Sequence, residues 1–358
     1  MQNSERESAS GFIRFIAYLQ IIGIIFVVLG HSFHEHPDGD FGRTLLLYRM
    51  MYSFRMPVFM FVSGFLMVLT TRLRKSGPVP LFTFIKSKAK RLLLPFVVLT
   101  LVTFVPRVAL SGIADDTMTM SPSTLLRALT YNGEMLIPYF WFLQASFIML
   151  VFTYACIVVA DIYGIRDRYL YAALLLLFIV LPLLPFSYPL FFSLNECVRL
   201  GFFFVAGATY CRYAKKVDAA VPWTSPVFML ASAGAWTALF FMTEHTPWMP
   251  LCSSAGIAMC ISFAKILEKS DIQVLDHLFG ANYLIFLLSW YCNVACQQVL
   301  HHYTDFPWWV YTILSLTSGV YIPWLGYRYL QRHRDSRWIR LCALLLGQSF
   351  RPAAKQQT

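Results

Sequence analysis

Apolar stretches of about 20 residues recur along this 358-residue chain, and that recurrence constrains its fold more than any single motif. A helix rises about 1.5 Å per residue, so about 20 apolar residues cross about 30 Å of hydrocarbon. Ten such segments can be marked: 12–33, 46–70, 92–111, 136–160, 169–186, 188–211, 223–243, 249–267, 275–299 and 308–330. Only 13% of the residues are charged, whereas 58% are hydrophobic. Soluble domains carry about 25% charged residues, so this chain cannot clothe a water-facing surface. The same composition excludes disorder, a collagen-like fibre and a coiled coil. The expectation is an all-α, polytopic integral membrane protein of about ten transmembrane helices. No linker or composition shift divides the chain, so residues 1–358 are expected to form a single domain.

Lysine and arginine collect on the cytoplasmic side of membrane proteins. The N-terminal stretch, the 71–91 loop, the connections near 161–168, 212–218 and 265–274, and the C-terminal tail region hold 23 of the 29 Lys and Arg residues. The opposite connections hold only Arg43, Arg107 and Arg127, while Arg49, Arg55 and Arg199 fall within segments. Both termini are therefore expected in the cytoplasm, with an even number of spans. The net charge of +11 then reads as membrane anchoring by anionic lipids, not as nucleic-acid binding. The opposite face is acidic, with Glu35, Asp38, Asp40, Asp115, Asp116, Glu134, Glu196, Glu244 and Asp305. The polar start Met1–Ser10 enters the first apolar segment without a cleavage pattern, so no signal peptide is expected. A short apolar patch in the tail, Leu341–Leu346, cannot span and is expected at the interface. The eight cysteines lie mostly in apolar runs and fit neither a disulfide framework nor a metal site.

Ionisable groups inside a membrane are costly unless paired or solvated, which makes them the informative residues here. His31 ends the run Gly23-Ile24-Ile25-Phe26-Val27-Val28-Leu29-Gly30-His31-Ser32. A neutral imidazole there can accept a proton from a hydroxyl nucleophile, or it can be an interfacial histidine with no task. Glu35, four residues on, would orient the ring if the helix continues that far. Arg55 sits in Tyr52-Ser53-Phe54-Arg55-Met56-Pro57-Val58-Phe59, ahead of Ser63-Gly64-Phe65. It cannot lose its proton, so it should face a polar cavity or an anion, unless it snorkels to the interface. Pro57 removes an N–H from its helix and should free the carbonyl one turn earlier. Glu196 and Arg199 can pair across three residues, either as a structural bridge or within a site. Arg49, Ser53 and Trp141 complete the candidate substrate contacts. Lys86, Lys90 and Arg91, in a loop of seven cations without an acid, are the candidates for attracting a phosphorylated donor.

Taken together, these motifs resemble the membrane-bound acyltransferase family 3, and within it the branch of fucose 4-O-acetylase-like and polysaccharide O-acetyltransferases. Weaker echoes lie in Phe84-Ile85-Lys86 with Lys90-Arg91-Leu92-Leu93-Leu94-Pro95 and in Tyr139-Phe140-Trp141-Phe142-Leu143. The resemblance implies an enzyme of the cell inner membrane. Such an enzyme would move an acyl group, usually acetyl, from cytoplasmic acyl-CoA to a carbohydrate hydroxyl on the outer side. It implies no tightly bound cofactor, an essential role for His31, and polysaccharide biosynthesis proteins as partners. Two positions depart from the family pattern. Gln20 stands eleven residues before His31, where Arg or Lys is common, and Arg55 stands where many members of the branch have His. Gln20 is about 16 Å from His31 along a helix, and Arg14 about 25 Å. The competing readings are a non-enzymatic exporter of polysaccharide or lipid-linked sugar, and an inactive acyltransferase-like assembly partner.

Overall fold

Hydrocarbon offers no partner to backbone N–H and C=O groups, so a spanning chain must satisfy them within helices. The computed structural model describes residues 2–33, 41–72, 79–110, 121–244, 246, 248–304 and 306–348. These form α1 (Gln2–Ser32), α2 (Phe41–Arg72), α3 (Leu81–Leu110), α4 (Pro122–Thr130), α5 (Trp141–Ile162) and α6 (Asp167–Val180). The chain continues through α7 (Leu194–Ala220), α8 (Pro226–Thr243), α9 (Met249–Lys269), α10 (Asn282–Tyr303), α11 (Trp308–Arg332) and α12 (Arg337–Leu345). Among the described residues there is no strand, only one isolated bridge between Tyr131 and Phe191.

Among the described residues, seven helices are long and apolar enough to cross a membrane: Arg14–Ser32, Leu46–Thr71, Leu81–Val108, Trp141–Ile162, Pro226–Thr243, Met249–Lys269 and Asn282–Leu300. The protein is a polytopic helical membrane protein. Three of the ten expected spans do not meet that description, each for a visible reason. The 14-residue α6 reaches only about 21 Å. The 27-residue α7 carries Glu196 and Arg199 near its start and four more charges near its end, and it bends at Tyr213. The 25-residue α11 is interrupted by Ser, Thr, Gly and Pro323 and ends in Arg332. In α3 the helix starts at Leu81, eleven residues before the expected span at 92. The four cations from Lys86 to Arg91 therefore lie on helix, not in a loop, because charge marks where lipid ends and not where a helix ends.

Two compact units are present, where the sequence shows no composition shift: residues 1–70 with 203–327, and residues 71–202 with 328–358. In the first, α1 packs on α9 and α10, burying Phe15, Tyr18, Leu19, Ile24, Val27 and Val28. α2 and α7 meet backbone to backbone. A Cβ on Gly64 would lie 1.9 Å from the Phe204 carbonyl, and a Cβ on Gly207 would lie 1.9 Å from the Phe61 carbonyl. The carbonyl freed by Pro57 belongs to Ser53, and the Ser253 hydroxyl of α9 donates to it at 2.5 Å. Two residues past the end of α9, Asp271 takes left-handed backbone (φ 51°) and turns the chain, while its carboxylate accepts from Arg14 at 2.6 Å. That bond holds the Asp271 carboxyl below its usual range.

In the second unit α3 packs on α5. Tyr154 of α5 accepts from the Val79 N–H (3.1 Å), donates to the Val79 carbonyl (2.8 Å) and stacks on Phe84 at 4.0 Å. Those three contacts pin the start of α3. The tail patch forms α12, which packs against α3. It ends in a turn whose Gly347 approaches the Arg91 carbonyl so closely that a Cβ would be 2.4 Å away.

Candidate functional site

The last turn of α1 carries His31, and its position is fixed from α10 and α11. A helix ends with carbonyls that have no partner within the helix. Here Gln297 of α10 donates to the carbonyls of His31 and Ser32, both at 3.4 Å. Asn293, one turn earlier on α10 and 1% exposed, places its amide 3.3 Å from the Ser32 hydroxyl. Turned so that both ends are satisfied, that amide donates to the carbonyls of Ser289 (3.2 Å) and Ser315 (2.9 Å). The site is roomy enough for this because α11 has Gly319 there, where a Cβ would come within 2.1 Å of Asn293. Asn293, Gln297 and Ser315 were not candidates from the sequence. The signal was present: two carboxamides four residues apart in an apolar segment share one helical face.

Arg55 of α2 lies against this end of α1. Its Nη1 occupies the space beside Gly30, 1.7 Å from where a Cβ would sit. The guanidinium therefore abuts the residue immediately before His31 and lies within electrostatic reach of the imidazole. Tyr48, Tyr52 and Arg55 follow one face of α2, and both rings approach the charge, at 5.1 and 4.8 Å from their centroids. Nη2 donates to the Tyr48 hydroxyl at 3.4 Å. Nε and Nη1 have no hydrogen-bond partner among the described residues, although the side chain is only 3% exposed.

Other expected site residues on α2 have different surroundings. Arg49 pairs with Glu244, at the end of α8, at 2.5 Å. Ser53 donates to the Met50 carbonyl and accepts from the Trp236 indole at 3.0 Å, which sets its hydroxyl in the packing between helices. Glu35 lies outside the described residues, and α1 ends at Ser32.

Three further expected residues meet in the second unit. Arg199 donates to Glu196 through Nε at 2.8 Å and lies over the Trp141 ring at 5.9 Å. Asn132 and Asn195 donate to the other Glu196 oxygen, at 3.4 and 3.1 Å. Behind them the buried Gln144 links the Leu129 carbonyl to the Ser193 hydroxyl. Phe192 and Ser193 both take left-handed backbone (φ 51° and 57°), which brings Glu196 into place one turn later. Lys86, Lys90 and Arg91 are exposed on α3. Among the described residues no cluster of His, Cys, Asp and Glu could hold a metal ion.

The structure thus sets a buried cation beside the residue before a histidine, in a helical membrane protein. A family model described as an acyltransferase domain matches residues 13–345, and the chain belongs to acyltransferase family 3. It is a multi-pass membrane acyltransferase. No curated protein and no solved structure matches it.

Proposed function

We propose that the protein transfers an acyl group, acetyl in the simplest case, from acyl-CoA to a hydroxyl of an exported or surface carbohydrate at the inner membrane. The observation that carries this reading is the Arg55 guanidinium seated in the notch left by Gly30, next to His31. In the mechanism, neutral His31 takes the proton of the acceptor hydroxyl as its oxygen attacks the thioester carbonyl. The C–S bond then breaks, and the leaving thiolate recovers the proton from the imidazolium. Arg55 supplies fixed positive charge beside the reacting atoms, and its low-dielectric surroundings strengthen its hold on a negative charge there.

Mass spectrometry of surface glycan tests the reading, using cells with wild-type protein or the His31→Ala variant at matched membrane abundance. The expected result is an acyl mass on the glycan with wild type and its loss with His31→Ala. An unchanged glycan in cells with, without or mutated in the protein would replace this reading with an exporter or assembly partner.

A further inference from the structure

The paired cations of this protein follow a pattern. Arg14 pairs with Asp271 and Asp276, Arg49 with Glu244, Arg127 with Glu134, Arg199 with Glu196, and Lys265 with Asp218. Each of those cations is more exposed than Arg55, and each meets a carboxylate. Arg55 is the one charged residue that is buried among the described residues, yet it meets two tyrosines and a glycine notch. Taking a guanidinium out of water without an anion is expensive, and tyrosine rings offset only part of that cost. An oxyanion that exists only at the top of the reaction barrier does not neutralise the charge in the bound complex. A substrate that carries a permanent anion does.

We infer that Arg55, caged by Tyr48 and Tyr52 beside Gly30, is the binding site for a carboxylate on the substrate. This inference rests on the acyltransferase reading above and narrows its substrate class. A planar guanidinium whose buried Nε has no hydrogen-bond partner, and whose Nη2 is held only by a 3.4 Å bond to Tyr48, matches the two oxygens of a carboxylate. The phosphates of CoA do not fit this place. The pantetheine arm separates them from the thioester by far more than the gap between Arg55 and His31. The carboxylate has two chemical sources: the far end of a dicarboxylic acyl group such as succinyl, or an acidic sugar of the acceptor. In both cases Arg55 holds the anion while His31, one residue from the notch, handles the hydroxyl proton.

Mass spectrometry with fragmentation of the surface glycan from cells carrying wild type, Arg55→Gln or Arg55→Lys decides between these. With wild type, a dicarboxylic acyl mass supports the first source. A neutral acyl mass on an acidic sugar supports the second. Arg55→Gln should cut that acylation on the order of 100-fold, as for loss of one partner of a buried charge pair, and Arg55→Lys should retain more of it. A neutral acyl group on a neutral sugar in wild-type cells overturns the proposal while leaving the acyltransferase reading intact, whether or not the variants fold. An absence of any acyl mass in wild-type cells overturns both, so the two failures are distinguishable.

Discussion

Gly30 has a larger effect on the site than its size suggests, because a single methyl group there competes with a charge. The Cβ of an alanine would lie 1.7 Å from Arg55 Nη1, and the atom in its way is the far end of a flexible side chain. The backbone of α1 therefore has no need to move; the guanidinium does. Gly30→Ala should leave the protein folded, with a melting temperature in mild detergent within a few degrees of wild type. Acyl transfer should fall about as far as in Arg55→Gln, on the order of 100-fold. Full activity in Gly30→Ala would show that the seat beside His31 is irrelevant to the chemistry. Helix propensity favours alanine by about 1 kcal/mol, so a loss of activity without a loss of stability cannot be assigned to a damaged helix.

At the scale of helices, two devices let α2 sit deep in its unit. Pro57 breaks the hydrogen-bond ladder, and Ser253 of α9 closes the gap by donating to the Ser53 carbonyl. The proline therefore marks a helix-to-helix joint and not an open cavity. One turn or two further on, α2 crosses α7 through paired glycines, each facing a carbonyl of the other helix at a distance that excludes any side chain. Here the obstacle is backbone, so the helices themselves must separate. Gly64→Ala and Gly207→Ala should each cost at least about 2–3 kcal/mol. Once one methyl has parted the helices, the second meets less resistance, so the double variant should cost clearly less than the sum. Unfolding in a denaturing-detergent titration measures all three; strict additivity would mean the two contacts are independent and the crossing is not one interface. The motif Ser63-Gly64-Phe65 thus has a packing reason that its sequence alone does not disclose.

Across the whole molecule, what was legible in the sequence is what depends on local chemistry. Apolar length located every long helix, because lipid forbids irregular backbone. The intramembrane charges pointed to His31 and Arg55, because desolvation makes such residues rare. What was not legible depends on which helix lies beside which. Nothing in the local sequence says that Asn293 and Gln297 grip the end of α1, that Arg49 is tied to Glu244, or that Ser53 is held by Trp236. Orientation in the membrane is a property of the entire chain, and the uneven spread of lysine and arginine argues for it. The tail that forms α12 should face the cytoplasm, and the segment between α4 and α5 should face the other side. Cys342 is the exposed cysteine among the described residues, and it lies on α12. Gly133 has nothing within 4 Å of where a side chain would begin, so a cysteine fits there without disturbing the fold. A membrane-impermeant maleimide should therefore label wild-type protein at Cys342 in inside-out vesicles and not in intact spheroplasts. In a Cys342→Ser background, Gly133→Cys should label in intact spheroplasts instead. The reverse pattern would turn the protein over, placing the basic α3 and tail outside. Cytoplasmic acyl-CoA would then have to reach His31 from the opposite end of α1, and the proposed direction of transfer would fail with it.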